Sequence, residues 1–330
     1  MKLAPVILLA IVLVVAVLLD NTGTHLAPVL LGMALAQGAV LVVAATELSN
    51  GKWIAPFKRP LLALTPLLFL FPFLVKLAPY PWLQHENHWL RADFFLVRNM
   101  VALAVLALVA NIYRRLTTTG AANSRKWAVI YIFTFVFTKT LVAMDWTMSF
   151  DYPWISTMFP VLYMIESFYA GLTLIAILCF VMEQRQPGSV SGPLYDGATM
   201  FFGFALFWGG LFYAQYLTIW YANIPEEVHY FTRRFALTGG RAFFYAVVGL
   251  LFGIPFGTLL IHKARKSPAV LFALAHSVLI GLLLHRVWHI LPYVDLNLGL
   301  LVIQSAAMFG AVAFSLRSAL TEAPAPAATH

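Results

Sequence analysis

The chain has 330 residues, of which 62% are hydrophobic and only 10% are charged, and its mean hydropathy is +0.85. A soluble domain of this length carries far more surface charge, so the composition predicts an integral membrane protein. The single cysteine, Cys179, excludes an internal disulfide, a CxxC metal site and a cysteine-ligated iron–sulfur cluster. Any redox metal would therefore belong to a partner, or be a haem held by histidine.

Ten apolar stretches are long enough to cross a membrane as helices. A span needs about 20 mostly apolar residues to cross a hydrocarbon core of ~30 Å, and none of these stretches alternates as barrel strands do. The sequence therefore predicts an all-α, polytopic membrane protein with about ten spans. In chain order they are Leu3–Leu19, Leu26–Glu47, Pro60–Pro79, Ala92–Tyr113, Trp127–Ser149, Pro153–Glu183, Ala198–Ala222, Ala242–His262, Ala269–Pro292 and Leu298–Leu316.

Basic residues in the connecting segments predict the orientation. With the N-terminus in the cytoplasm, 13 Lys and Arg residues lie inside and 6 lie outside, as the positive-inside rule requires. This bias also explains the net charge of +8 without nucleic acid. We call the predicted cytoplasmic end the inner end and the opposite one the outer end. The six outer cations are Lys76, Arg91, Arg233, Arg234, Arg241 and Arg286.

No soluble domain is predicted. Residues 1–321 form one membrane domain, and the Ala/Pro-rich residues 322–330 are predicted to be a disordered tail. Prolines interrupt the third span at Pro66 and Pro72, the sixth at Pro160 and the eighth at Pro255, where kinks are expected. The sixth span, predicted to begin at Pro153, is about 46 Å long and must tilt or project from the membrane.

Ionisable side chains lie within the fifth and sixth spans, where each costs a few kcal/mol. Lys139 and Glu166 are at similar distances from the outer ends of adjacent antiparallel helices, so we expect them to meet at mid-membrane depth. Such a pair could lock the helices together as a buried ion pair, or it could pass a proton. The other members predicted for a proton path are Thr134, Thr138 and Asp145 on the fifth span and Tyr163 on the sixth.

Aromatic and polar residues follow near the outer surface. On the seventh span, the side chains of Tyr213, Gln215, Tyr216 and Trp220 could line a quinone head-group pocket or form an interfacial aromatic belt. The outer loop Asn223–Arg241 is predicted to be a short amphipathic segment with solvated charges or partner contacts. The residues expected to face a partner are Asp151, Trp154, Glu226, Glu227 and His229.

The ninth span contains His285 and His289 on one face, with His276 about 180° around the helix from His285. Two spans that each present a histidine at matched depth would suggest a b-type haem. Alternatively, these imidazoles bond interfacial groups or join a proton path, since histidine titrates near neutral pH. No metal site is predicted from the residues of this chain alone.

Two stretches resemble a known family. Residues 145–157 match the pattern D-W-x-M-S-x-D-x-x-W-x-S-T, and residues 215–227 match Q-Y-x-x-I-W-Y-x-N-x-P-E-E. With the ten-span layout, these motifs make the chain similar to the ActF-type membrane subunit of alternative complex III, within the NrfD/polysulfide-reductase-like family. At 330 residues the chain is short for that family.

The resemblance implies two four-helix bundles plus two peripheral helices in the bacterial inner membrane. It implies a quinol-oxidising complex whose electrons pass through partner subunits, while this chain conducts protons and catalyses nothing alone. The implied partners are a homologous NrfD-like membrane subunit, an iron–sulfur subunit, multihaem cytochrome c subunits, a terminal oxidase and lipids. This chain would hold no haem or cluster and would bind at most a quinone or lipid.

Three other interpretations stay open. Buried Lys and Glu residues and kinked helices also suit a secondary transporter with a Lys/Glu coupling site. A haem-b anchor of a quinol oxidase or reductase would use the histidines. A purely structural scaffold would use the buried charges for assembly alone.

Overall fold

The computed structural model describes residues 4–84 and 87–322, and this part of the chain is all-helical, without strands. Eight of the described helices are long and apolar enough to cross a membrane, or nine spans if one bent helix pair is counted. The helix of residues 4–19 is apolar but shorter, with 16 residues. The predicted all-α membrane fold is confirmed, whereas the count of ten spans is not.

The helices are defined as follows. They are α1 (Ala4–Leu19), α2 (Leu26–Leu48), α3 (Ala55–Leu62), α4 (Ala92–Thr118), α5 (Ser124–Trp146), α6 (Met158–Arg185), α7 (Ser191–Ala222), α8 (Pro225–Phe235), α9 (Gly240–Val248), α10 (Ile254–Leu259), α11 (Pro268–Ile290) and α12 (Leu298–Glu322). Glu322, predicted to begin the disordered tail, instead ends α12, and the rest of the predicted tail lies outside the described residues.

Prolines accompany a break in one predicted span and a change of helix type in another. The third consists of α3 and a 3₁₀ segment, Thr65–Leu74, which meet at an angle of 49°. That segment contains Pro66 and Pro72, which lack the N–H that an α-helix needs. The eighth is α9 and α10 joined by one π-helical stretch, Gly249–Gly253, just before Pro255.

The sixth span differs from its prediction. The helix begins at Met158 instead of Pro153, so Pro160 lies in its first turn and does not interrupt it. Proline fits a first turn because the N–H groups there have no partner within the helix. With 28 residues, α6 is about 42 Å long and still exceeds the hydrocarbon thickness of ~30 Å.

Helix α2 is the core of the structure. All residues of its most apolar stretch are buried, whereas every other candidate span leaves at least a third of such a stretch on the surface. It packs against α5, α6, α11 and α12. A helix that is apolar on every side can be stable there because other helices surround it.

The crossing of α2 and α6 is very close. A Cβ atom on Gly38 would lie 1.8 Å from the carbonyl oxygen of Ser167, and one on Gly171 would lie 2.4 Å from the carbonyl oxygen of Gly38. Glycine at both positions therefore allows direct contact between the two backbones. Helices in membranes commonly associate in this way, because lipid provides little hydrophobic drive for association.

The two ends of the molecule are held by contacts between sequence-distant loops. At the outer end, the Lys76 ammonium donates to the last carbonyls of α1, and the backbone N–H of Asn297 donates to Thr24. At the inner end, Arg125 bonds the Leu48 carbonyl and Arg185 bonds the Leu320 carbonyl. These contacts place the successive loops alternately at the two ends.

We expect Gly38→Ala to destabilise the protein, because the new methyl group forces α2 and α6 apart. Overpacking of this kind costs about 1–3 kcal/mol, and contact with backbone leaves little room to relax. Thermal unfolding in detergent should show a lower midpoint. The matched control is Gly203→Ala on α7, where nothing lies within 4 Å of the new Cβ. Equal midpoints for the two variants would contradict the close crossing.

Candidate functional site

Four buried side chains form what we call the central cluster: Glu166, Trp208, His285 and Arg286. Glu166 Oε1 accepts hydrogen bonds from His285 Nδ1 at 2.5 Å and from Trp208 Nε1 at 2.9 Å. Its Oε2 is ion-paired with Arg286. One carboxylate on α6 thereby connects α7 and α11, and a cation and two further donors offset the cost of burying it.

The predicted direct pair between Lys139 and Glu166 is wrong. Lys139 donates to Gln37 Oε1 at 3.2 Å, while Glu166 is paired with Arg286. Arg286, predicted to be an outer cation, is fully buried within α11. The signal was present in the sequence, since Arg286 lies inside the predicted span Ala269–Pro292.

Lys139 has no ion-pair partner of its own within the described part of the chain. Its side chain is 1% exposed, and its ammonium donates a hydrogen bond to the neutral amide of Gln37 on α2. It also interacts electrostatically with Arg286 and Glu166. Arg286 already balances the charge of Glu166, so a protonated Lys139 adds an unbalanced charge at low dielectric. Such a lysine is suited to gaining and losing a proton.

A line of polar side chains, the inner thread, connects Lys139 to the inner end. The backbone carbonyl of Gln37 accepts a hydrogen bond from Tyr131 at 2.8 Å. The Tyr131 ring stacks on Tyr113 with 6.3 Å between centroids, and the Tyr113 hydroxyl donates to Glu47 at 2.5 Å. The thread thus consists of Glu47, Tyr113, Tyr131, Gln37 and Lys139.

The thread begins where water can reach it. The side chain of Glu47 is 17% exposed, and it is ion-paired with Lys58 and accepts hydrogen bonds from Thr117. Our sequence reasoning missed Glu47, Tyr113 and Tyr131. The sequence could have indicated Glu47, because a glutamate near the end of an apolar span is unusual. It could not have indicated the two tyrosines, because they lie on different helices and their alignment depends on how those helices pack.

On the outer side of the central cluster, two histidines lead toward the surface. The rings of His285 and His289 are 4.3 Å apart, and His289 Nδ1 lies 2.8 Å from the hydroxyl of Tyr230. The Nε2 atoms of both histidines are buried without a protein partner. Buried nitrogens of this kind commonly bind ordered water. Both histidines belong to α11, so this pair is not the arrangement of histidines from two spans that a b-type haem would use.

The outer cluster consists of Asp151, Arg234, Tyr293 and the carbonyls that end α11. Arg234 binds Asp151 with two hydrogen bonds, at 3.1 and 2.8 Å, and donates to the carbonyls of Trp288 and His289. The Tyr293 hydroxyl donates to Asp151 at 2.5 Å. Burial and the nearby Asp151 carboxylate raise the pKa of Tyr293, so it stays protonated and can donate.

This cluster corrects the prediction for the loop Asn223–Arg241. The amphipathic segment exists as α8, but Arg234 is fully buried instead of solvated. Although burial opposes its charge, the neighbouring Tyr230 and Asp151 raise the pKa of Arg234 above its ordinary value. The carbonyls at the end of α11 also favour a cation at this position.

The outer residues predicted to face a partner do come together. They border the outer groove, a cavity of about 610 Å³ at the end of the molecule. The Trp154 ring stacks on Tyr230 at 4.3 Å, so it also covers the route to His289. The predicted residues in its lining are Asp151, Trp154, Glu226, Glu227 and His229, together with Arg233.

Only two of the four predicted quinone-pocket residues on α7 share a cavity. Tyr216 and Trp220 both line a space of about 330 Å³ beside α8 and α9. Tyr213 is 61% exposed and Trp220 is 62% exposed, whereas Gln215 is buried. The exposed rings at the outer end of a span favour the aromatic belt, the alternative that the sequence left open.

Asp145 is separated from the predicted path. Its carboxylate is ion-paired with Arg98 at 2.8 Å and accepts hydrogen bonds from Asn99 at 2.7 Å and Trp89 at 3.1 Å. Arg98 also stacks over the Trp89 ring at 4.2 Å. This set of contacts ties α4 to the outer end of α5 and explains Asp145 as a structural residue.

The remaining predicted path residues have different positions. Tyr163 lies in the cluster region, where its ring faces the Arg286 guanidinium at 3.7 Å and its hydroxyl donates to Thr147. Thr134 donates to the Ile130 carbonyl of its own helix. Thr138 is buried beside Lys139. Of these three residues, Tyr163 is the one whose ring contacts a member of the central cluster.

Comparison with known proteins adds no assignment. Neither a scan against protein-family models nor a search of curated proteins returned a match. Within the described residues, no group of three or more His, Cys, Asp or Glu side chains could hold a metal ion.

We expect Glu166→Gln to destabilise the protein strongly, because Arg286 is left as an unpaired buried charge. Removal of one partner of a buried ion pair costs about 3–5 kcal/mol. The measurement is the thermal unfolding midpoint in detergent, with the exposed Glu226→Gln as the matched control. The double variant Glu166→Gln/Arg286→Met should recover part of the loss. A midpoint for Glu166→Gln equal to that of the control would refute the pairing.

Proposed function

We propose that this chain is an integral subunit of a quinol-oxidising respiratory complex of the alternative-complex-III type. The two sequence motifs support the assignment. Helix α4 packs on α5, α6 packs on α7 and α11, and α1 packs on α12, while α2 joins these groups through its contacts with α5, α6, α11 and α12. The chain would contribute a proton route and a surface for partners.

The main support for a proton route is a series of polar side chains that extends between the two ends of an otherwise apolar protein. The inner thread extends from Glu47 to Lys139, and the central cluster follows at Glu166 and His285. From there His289, Tyr230 and the outer cluster reach the outer groove. Hydroxyls, imidazoles and carboxylates are the groups that relay protons in membrane proteins.

Lys139 is the proposed switch of this route. When protonated, it attracts Glu166 and repels Arg286, and so competes with the existing pair. Movement of the Glu166 carboxylate toward Lys139 would weaken its hydrogen bond to His285. The altered His285 would then affect His289, which lies next to it on the outer side. When Lys139 is neutral, the Glu166–Arg286 pair is undisturbed.

The partners attach, in this proposal, at the outer groove. Its lining mixes exposed acidic, basic and aromatic side chains, which suits contact with another protein. Iron–sulfur and c-haem subunits on this side would carry the electrons, and a homologous membrane subunit would hold the main quinol site. The complex as a whole would lie in the bacterial inner membrane.

In the purified complex reconstituted into liposomes, we expect Lys139→Met to lower the number of protons moved per electron by at least about half. Electron transfer and the haem spectrum should change little, because methionine fills similar space but carries no proton. A pH-sensitive dye and a quinol oxidation assay give the two rates. Thr134→Val is the matched control on the same helix, since Thr134 bonds only within α5. An unchanged ratio in an intact Lys139→Met complex would remove Lys139 from the route.

A secondary transporter is the second candidate, favoured by the break at Thr65–Leu74 and the π-helical stretch Gly249–Gly253. A broken span such as the one at Thr65–Leu74 is typical of the binding sites of transporters, and π-helical stretches often mark functional sites. Gentle affinity purification from native membranes with mass spectrometry separates the candidates. We expect multihaem cytochromes c and an iron–sulfur protein to co-purify at fixed stoichiometry. A chain that purifies alone, colourless and stable would support the transporter.

A further inference from the structure

A second feature of the chain, the inner groove, opens between α6, α11 and α12. Its volume is about 670 Å³, within the ~300–1,000 Å³ typical of ligand sites. Aliphatic and phenylalanine side chains form its walls, among them Leu174, Ile177, Leu279, Phe309 and Leu316. Three polar residues complete the lining: Arg185, His276 and Arg317.

The groove has the depth of one lipid leaflet. It follows α11 from Leu283, near the middle of the span, to Phe272, near its inner end. This distance is about 16 Å at 1.5 Å per residue, or half of a hydrocarbon core of ~30 Å. The groove is therefore as long as an acyl chain of the inner leaflet and too short for a helix that crosses both leaflets.

Two cations stand at the mouth of the groove. Arg185 at the end of α6 donates to the Leu320 carbonyl of α12 at 3.3 Å, and Arg317 lies one turn earlier on α12. Arg317 is exposed and makes no ion pair within the described part of the chain. The lining contains no carboxylate. The positive charge at the mouth is thus left for an external anion.

We infer that the inner groove binds an anionic phospholipid of the inner leaflet. One acyl chain lies between α6, α11 and α12, and the phosphate is held by Arg185 and Arg317. Basic residues at the inner ends of membrane helices select anionic headgroups. A quinone has the apolar tail but a neutral ring, which gives the two arginines no charged partner. The site is independent of the proposed respiratory role.

The test uses the full-length chain purified in detergent and native mass spectrometry with phosphatidylglycerol and phosphatidylcholine of identical acyl chains. We expect phosphatidylglycerol to bind about 30-fold more tightly, as two cations at about 1 kcal/mol each would give at 1.4 kcal/mol per tenfold. The variant Arg185→Gln/Arg317→Gln should bind the two lipids within about threefold of each other. The matched control is Arg115→Gln/Lys126→Gln, which removes two exposed inner-end charges outside the groove and should keep the preference.

A second variant tests the acyl-chain half of the site. Ala313 is exposed and lines the groove, so Ala313→Trp should fill it with little effect on folding. We expect this variant to lose both lipids. Equal binding of the two lipids to the unmodified chain would overturn the inference. Tight binding of a short-chain ubiquinone that Ala313→Trp abolishes and Arg185→Gln/Arg317→Gln leaves unchanged would overturn it in favour of a quinone site.

Discussion

The close crossing of α2 and α6 is the constraint on which the rest of the structure depends. Gly38 contacts the α6 backbone at Ser167 and Gly171, and the adjacent residues in the chain are Gln37, which accepts a hydrogen bond from Lys139, and Glu166. The crossing therefore brings the two helices that carry the inner thread and the central cluster into direct contact. A larger side chain at Gly38 would separate both the helices and the two polar groups of residues.

Of the ionisable groups buried near this crossing, two balance each other's charge and a third, Lys139, does not have a charged partner of its own. Glu166 and Arg286 balance one another, and two further donors satisfy the carboxylate. Lys139 is the additional ionisable group, and its described hydrogen bond is to a neutral amide. A protein needs no third ionisable group to hold α5 against α2, because apolar packing of membrane helices suffices. The extra lysine is thus the residue that distinguishes a simple ion-pair lock from the proposed charge-moving site.

The sequence predicted an all-helical membrane fold correctly because each span depends on a local run of apolar residues, although the count of ten spans is not confirmed. It also placed Lys139 and Glu166 on successive long helices and the two α8 glutamates on a short amphipathic helix. It failed where partners are far apart in the chain: Arg286 is 120 residues from Glu166, and Tyr113 reaches back to Glu47. The amino-acid composition of a span does not indicate which other helix it packs against, and therefore does not indicate the partners of its polar side chains. The late start of α6 was missed because the apolar residues after Pro153 resemble a helix, although residues 154–157 are non-helical.

Asp145 and Lys139 illustrate how the same sequence signal can have opposite meanings. Both are ionisable residues on α5, six positions apart, and both are fully buried. Asp145 is satisfied by a cation and two neutral donors from the segment around α4. Lys139 lacks such a set, lies beside a carboxylate that already has a cation, and is connected to the inner end by tyrosines. A buried polar network that is fully satisfied specifies a rigid structure, whereas a buried lysine without a charged partner of its own can change its protonation state readily. The proposed route therefore passes through Lys139 and not through Asp145, although the sequence assigned both to it.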